Sequence, residues 1–154
     1  MNVLIPMAGL GTRFPSERFK TKPLIEINSV PMIIRAVESL DLDGDHFFVI
    51  RKSEFSAEIK SVIKSIKKRT NVIEIDYQTS GPAETALLFS DLIDLDKELV
   101  IANCDQIMEW NSDNFLHNVR QYDGAVVTYY ATTDKNSYAR LNKAGEVAEI
   151  REKE

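Results

Sequence analysis

The sequence predicts an α/β fold: a mostly parallel sheet covered by helices on both faces, in three α/β/α layers, with a small antiparallel β addition near the C-terminus. Three observations predict it. Short β-branched apolar runs recur along the chain. Segments with apolar residues at helical spacing separate them. After about residue 124 this alternation gives way to β-rich segments around a turn. The 154 residues suit one compact domain, 1–154.

Residues 2–6 form an apolar run that stops at Pro6 and a glycine-containing loop, which reads as a buried strand. Residues 24–27 suit a short extended stretch. Pro31 suits the first position of a helix in which Ile33, Ile34, Val37 and Leu40 recur at helical spacing. Residues 47–50 read as a second buried strand. Phe55, Ile59, Val62, Ile63 and Ile66 then follow at i, i+4, i+7, i+8 and i+11, the pattern of an amphipathic helix. Residues 72–75 alternate like a strand, 83–92 read as a helix, and 99–102 predict a third strong strand. Residues 111–122 predict a further helix, with Asn111 or Ser112 near its cap. Residues 125–131 and 138–141 are β-rich, Lys143-Ala144-Gly145 is a turn, and 146–150 can pair back. The alternation of strands and helices makes the body Rossmann-like.

Lysine and arginine total 19 against 24 aspartates and glutamates, a formal charge of −5, which gives no global reason to expect a nucleic-acid partner. With 44% hydrophobic and 28% charged residues, the composition excludes disordered and disulfide-scaffold classes. Cys104 is the lone cysteine, so an intramolecular disulfide and a multi-cysteine zinc site are excluded. No apolar run approaches the roughly 20 residues that span a bilayer, and no secretion signal opens the chain. The expectation is a cytoplasmic protein with no membrane partner.

The most informative stretch is Met7-Ala8-Gly9-Leu10-Gly11-Thr12-Arg13-Phe14, directly after the first strand, where open α/β sheets place ligands. Closely spaced glycines let backbone N–H groups approach phosphate oxygens without interference from Cβ. The dinucleotide fingerprint needs a third glycine where Phe14 stands, and the P-loop needs Gly-Lys-Ser/Thr where Gly11-Thr12-Arg13 stands. A lone Gly-x-Gly also serves bare turns, and a charge run is ordinarily a solvated loop. Here Arg13, Arg18, Lys20 and Lys22 place four cations within ten residues of a net acidic chain, overlapping the glycines. Arginine forks and lysine point charges both suit phosphate.

Gly9-Leu10-Gly11-Thr12-Arg13, followed by Lys22-Pro23-Leu24 and then Pro31-Met32-Ile33, resembles the nucleotidyltransferases that make nucleoside-diphosphate sugars. Their pattern is Gly-x-Gly-Thr-Arg, a loop, Pro-Lys-x-Leu and a Gly-x-Pro-Met/Leu segment. Thr21 replaces the proline before the lysine, and Val30 replaces the residue before Pro31; neither change touches a phosphate-binding side chain. By the same resemblance, Asp105 in Asn103-Cys104-Asp105-Gln106 is a ligand of Mg²⁺, although Cys104 stands where the family has glycine. Gln78 and Gly81 fall at the family's base-recognition loop. Ser137-Tyr138-Ala139 and Glu152-Lys153 resemble segments that contact the sugar phosphate, with Ala139 in place of a glycine. The competing readings are structural: a turn-capping Asp105, and a plain connecting loop at 78–85. Cys104 reads as a semi-buried residue rather than a nucleophile. His46 and His117 read as structural, and the lysines between Lys60 and Arg69 as a solvated helix face.

The resemblance implies transfer of a nucleotidyl group from a nucleoside triphosphate to a sugar 1-phosphate, as used in nucleotide-sugar and polysaccharide biosynthesis. Arg13, Lys22 and Lys153 would act in catalysis. Met7, Ala8, Gly9, Leu10, Gly11, Thr12, Gln78 and Gly81 would bind nucleotide, and Tyr138, Ala139 and Glu152 the sugar phosphate. Asp105 would hold Mg²⁺. A cytidylyltransferase acting on phosphocholine or a similar phospho-compound, and a catalytically incomplete nucleotide-binding fragment, stay open as alternatives. The family normally continues through a Ser-containing strand, a second metal-ligand aspartate and C-terminal helices, so the motifs cover its N-terminal portion. The base, the acceptor and any homo-oligomer are left open.

Overall fold

The computed structural model describes residues 1–9, 21–66, 68–133 and 136–152. Within Met1–Ser112, the first of two compact units, β1 (Asn2–Met7) starts almost at the first residue. A 3-10 turn (Lys22–Leu24) and a hairpin of β2 (Glu26–Ile27) and β3 (Val30–Pro31) lead into α1 (Met32–Leu40). Asn28 and Ser29 at the hairpin tip both have positive φ, 51° and 61°, as a two-residue turn of the primed type requires. β4 (Asp45–Arg51), α2 (Ser56–Ser65), β5 (Arg69–Ile75), α3 (Pro82–Leu87) and β6 (Leu99–Ile101) complete the body. Pro31 pairs with Glu26 and precedes the helix instead of opening it, because its ψ of 137° is extended.

The main sheet has the order β5-β4-β1-β6 with every pairing parallel. Parallel strands need apolar residues on both faces, and β1 and β4 supply them by alternation. On one face Ile5, Phe48 and Ile50 join Ile33 and Val37 of α1 and Ile59 and Ile63 of α2 in one buried cluster. On the other, Leu4, Phe47 and Val49 pack with Ile75 and Phe89. The Phe47 and Phe89 rings meet edge to face, 5.4 Å between centroids.

Three boundaries differ from expectation. β5 begins at Arg69, three residues early, because the parallel register with β4 extends to Asp45 opposite Arg69 and the two side chains pair at 2.7 Å. α3 stops at Leu87. Beyond it, bonds from Phe89 N–H to Ala86 O and from Leu92 N–H to Phe89 O tighten the chain into turns that deliver Phe89 to the core. The chain then reaches Asp94, whose carbonyl accepts the buried Asn2 side-chain amide at 2.8 Å. β6 is a strand, but a three-residue one whose Leu99 and Ile101 are exposed.

The second unit, Asp113–Glu154, takes in most of α4 (Ser112–Val119), shorter at both ends than the predicted 111–122. The predicted β-rich segment 125–131 is not a strand: Val126, Val127, Tyr129 and Tyr130 are exposed, and no described strand pairs with it. A β-prone sequence without a partner ladder does not make a strand. β7 (Ser137–Leu141) and β8 (Val147–Glu152) do form the predicted antiparallel pair. Its turn uses Gly145 at φ +84° and the Asn142 side chain, which accepts the Ala144 and Glu146 N–H groups. Among the described residues no helix is long and apolar enough to cross a membrane.

His46 is fully buried on β4; its Nδ1 donates to Gly44 O at 3.2 Å, and Nε2 has no partner among the described residues. Burial first, and Lys68 to a smaller degree, lower its pKa below 6.5 against the opposing pull of the Gly44 carbonyl, Asp45 and Asp43. The unfolded chain therefore takes up this proton at higher pH than the folded one. Stability is complete above pH 6.5 and declines as pH falls toward the lower folded-state value. Urea unfolding of the wild type and His46→Leu at pH 7.5 and 5.5 checks this: the wild type should lose more stability between the two, and parallel losses would refute it.

Candidate active site

From β1 the chain winds outward to β4 and β5, then crosses back to place β6 on the free side of β1. The loops after β1 and β6 therefore diverge, and the crevice between them is where an open α/β sheet binds its ligand. The end of β1 gives Met7, buried Ala8 and exposed Gly9. A Cβ on Gly9 would meet no described atom within 4 Å, so the described packing does not demand glycine there. Beyond β6, Ala102 N–H donates to Leu4 O at 2.9 Å, and Asn103, Cys104 and Asp105 turn away from the sheet.

Three side chains from separate segments converge on the α1–α2 face. Met7 and Leu24 pack against the cluster that contains buried Cys104. Pro23 is buried as well, so the 3-10 turn that begins with Lys22 is held at its base. Lys22 Nζ thereby reaches Asp105 Oδ2 at 2.5 Å, with side chains 28% and 33% exposed. The Cys104 thiol is pushed up to about 11, first by burial and then by the Asp105 charge, with Lys22 opposing. A thiol held protonated at neutral pH is a packing group rather than a nucleophile.

The loop that carries Asp105 is tied down at its far end by residues that no sequence motif announces. Ser39 near the end of α1 accepts the Met108 N–H on its hydroxyl at 2.9 Å and the Trp110 Nε1–H on its carbonyl at 3.1 Å. Ser112 Oγ donates to Asp41 O at 2.9 Å. Ser39 looks like an ordinary polar position of an amphipathic helix, and its partners lie about seventy residues away.

Gln78 is exposed between β5 and α3, and Gly81 caps α3. The loop between them is braced by Ser80, whose N–H and hydroxyl both donate to Glu84 Oε2 at 2.5 and 2.6 Å. Those two bonds lower the Glu84 pKa. Thr79 and Thr85 join hydroxyls at 2.7 Å. In the second unit Tyr138 lies opposite Arg151, Ala139 opposite Ile150 and Ser137 opposite Glu152. The Tyr138 hydroxyl donates to Thr133 O. Leu10, Gly11, Thr12, Arg13, Arg18, Lys20, Lys153 and the Glu152 side chain lie outside the described residues.

Among the described residues no three His, Cys, Asp or Glu side chains gather as a metal cage. A single carboxylate such as Asp105 would hold a hard cation such as Mg²⁺ only together with waters and substrate phosphates, since that ion is commonly bound by one or two carboxylates with phosphates completing the shell.

Comparison with solved structures places this fold. The nucleoside-diphosphate-sugar pyrophosphorylase of Vibrio cholerae RC9 matches 99% of the chain and 67% of its own length, at TM-score 0.74 and 21% identity. A Bacillus anthracis protein assigned as a glucose-1-phosphate thymidylyltransferase, in complex with a sucrose, matches 99% of the chain and 64% of its own, at TM-score 0.82 and 19% identity. A UDP-glucose pyrophosphorylase complexed with UDP-glucose matches 99% and 69%, at TM-score 0.75 and 19% identity. The chain thus has the nucleotidyltransferase fold and spans about two thirds of the length of these proteins. No protein-family model matches it, and no curated protein does.

Gly9→Ala and Ser39→Ala should behave oppositely. With open space at Gly9, its variant should keep unfolding free energy within about 0.5 kcal/mol. Ser39→Ala strands the Met108 N–H and should cost about 1 kcal/mol. Urea unfolding of each variant reads both quantities.

Proposed function

We propose that the chain carries the nucleotide site of a nucleotidyltransferase that joins a nucleoside triphosphate to a sugar 1-phosphate, releasing pyrophosphate. One observation carries the reading: a lysine from the segment after β1 and an aspartate from the loop after β6 meet at 2.5 Å, the two loops that flank the switch point of the sheet. An oxygen of the sugar phosphate attacks the α-phosphorus in line, and the bond from that phosphorus to the oxygen of the departing pyrophosphate breaks. Such transfer depends on positioning and charge stabilisation more than on covalent help from the protein.

In this reading the backbone amides from Gly9 to Thr12, with Arg13 and Lys22, hold the triphosphate; Met7 and Ala8 shape the approach. Gln78 reads a base edge, and Gly81 leaves its face open, in keeping with the absence of any described atom within 4 Å of where a Cβ would stand. Tyr138, Ala139 and Glu152 contact the sugar phosphate, and Lys153 binds its attacking group. Asp105 would hold Mg²⁺, which when bound neutralises charge on the phosphate oxygens. The names of the three similar structures favour sugar nucleotides over a phosphocholine acceptor. The protein would work in the cytoplasm, supplying activated sugars for polysaccharide synthesis.

Pyrophosphate release, assayed with the common nucleoside triphosphates against a panel of sugar 1-phosphates and phosphocholine, tests this. One sugar pair should turn over, and Lys22→Ala should lower its rate on the order of 10²–10³-fold while the fold survives. Unchanged release by that variant would remove Lys22 from the site. Triphosphate binding without release for every acceptor would support the catalytically incomplete reading instead.

A further inference from the structure

In the proposed reaction Lys22 serves phosphate and Asp105 serves a metal ion, yet the two side chains are joined to each other at 2.5 Å. Resting on that nucleotide-site reading, we propose that the Lys22–Asp105 ion pair is a charge-exchange latch. It is closed without ligand and opens when a metal-bound polyphosphate brings a cation to Asp105 and an anion to Lys22 together.

Either ligand alone meets an electrostatic obstacle. A divalent cation that takes the Asp105 carboxylate displaces Lys22 and leaves an ammonium beside a dication. A polyphosphate that draws Lys22 away leaves the Asp105 carboxylate facing an anion. Both side chains are about two-thirds covered, so solvent screens these repulsions only in part. Bound together, the two ligands give the Asp105 carboxylate a cation and the Lys22 ammonium an anion in exchange for each other. Asp105 also has no ring of neighbouring acids among the described residues to hold a metal unaided.

The packing says which part moves. Pro23 is buried, Leu24 lies on the core and Cys104 is within it, so neither backbone segment is free to retreat. Exchange falls to side-chain rotation, and the four-carbon stem of Lys22 has the reach that the short Asp105 lacks. Metal and polyphosphate are then coupled, each raising the affinity of the other.

Inorganic tripolyphosphate probes the latch without involving base or sugar. Its binding to the full chain is titrated calorimetrically, in chelator and in Mg²⁺. The wild type should bind weakly in chelator and tighten with Mg²⁺. Asp105→Asn should bind about tenfold tighter than wild type in chelator, about 1.4 kcal/mol, and lose the Mg²⁺ enhancement. Removing any carboxylate favours an anion, so the deciding arm repeats Asp105→Asn in a Lys22→Met background, where the gain should fall to about twofold or less. Equal gains in the two backgrounds, or no gain in chelator, would overturn the latch while leaving the nucleotide site standing. No tripolyphosphate binding by the wild type in either condition would overturn the nucleotide reading and the latch with it. Circular-dichroism melts confirm folding, and Asp105→Ala gives the same comparison should the asparagine variant not fold.

Discussion

The apolar cluster between the sheet and the α1–α2 layer is the constraint on which the site depends. It is built from Ile5, Phe48 and Ile50 of the strands and Ile33, Val37, Ile59 and Ile63 of the helices. Three site segments, distant in sequence, each contribute one side chain to it: Met7, Leu24 and Cys104. The neighbours of those anchors, Gly9, Lys22 and Asp105, are carried to one end of the sheet by hydrophobic burial rather than by attraction among themselves. The polar chemistry is thus positioned by residues with no polar role. This explains how a cysteine can stand where a glycine is expected: its sulfur fills core space while the following carboxylate stays at the rim.

The electrostatics follow from the same arrangement. A chain of net charge −5 is a poor global attractor for a triphosphate. In the proposed reading anion binding comes from a local field, to which Lys22 contributes a cation. The Asp105 carboxylate pairs with Lys22 and balances part of its charge.

Much of this was legible in the sequence because it is written in local patterns. Phe47 to Ile50 reads as a buried strand since both of its faces are apolar, and both are covered. Lys143-Ala144-Gly145 reads as a turn since glycine is the residue that accepts the left-handed backbone found at Gly145. Lys22 and Asp105 were each visible from motifs, and Asp105 also from its place after a predicted strand. Their pairing was not, because it depends on β6 returning beside β1 and on Leu24 and Cys104 sharing a core. Ser39 was invisible for a related reason: its partners Met108 and Trp110 are fixed by tertiary approach. The segment 125–131 misled because β propensity describes the willingness of a chain to be a strand and is silent on whether a partner exists.

The sheet is unevenly knit. β1 pairs with β4 over six residues and β4 with β5 over seven, whereas β6 is held to β1 by three. Local opening is easiest where the ladder is shortest and apolar cover is thinnest, and Leu99 and Ile101 are exposed. One wall of the crevice, carrying Gly9, is therefore fastened to the most stable part of the molecule. The wall carrying Asp105 hangs from the strand whose amide hydrogens should exchange first. The Asp105 side owes its hold less to that short ladder than to Cys104 in the core and to the Ser39 bonds beyond it.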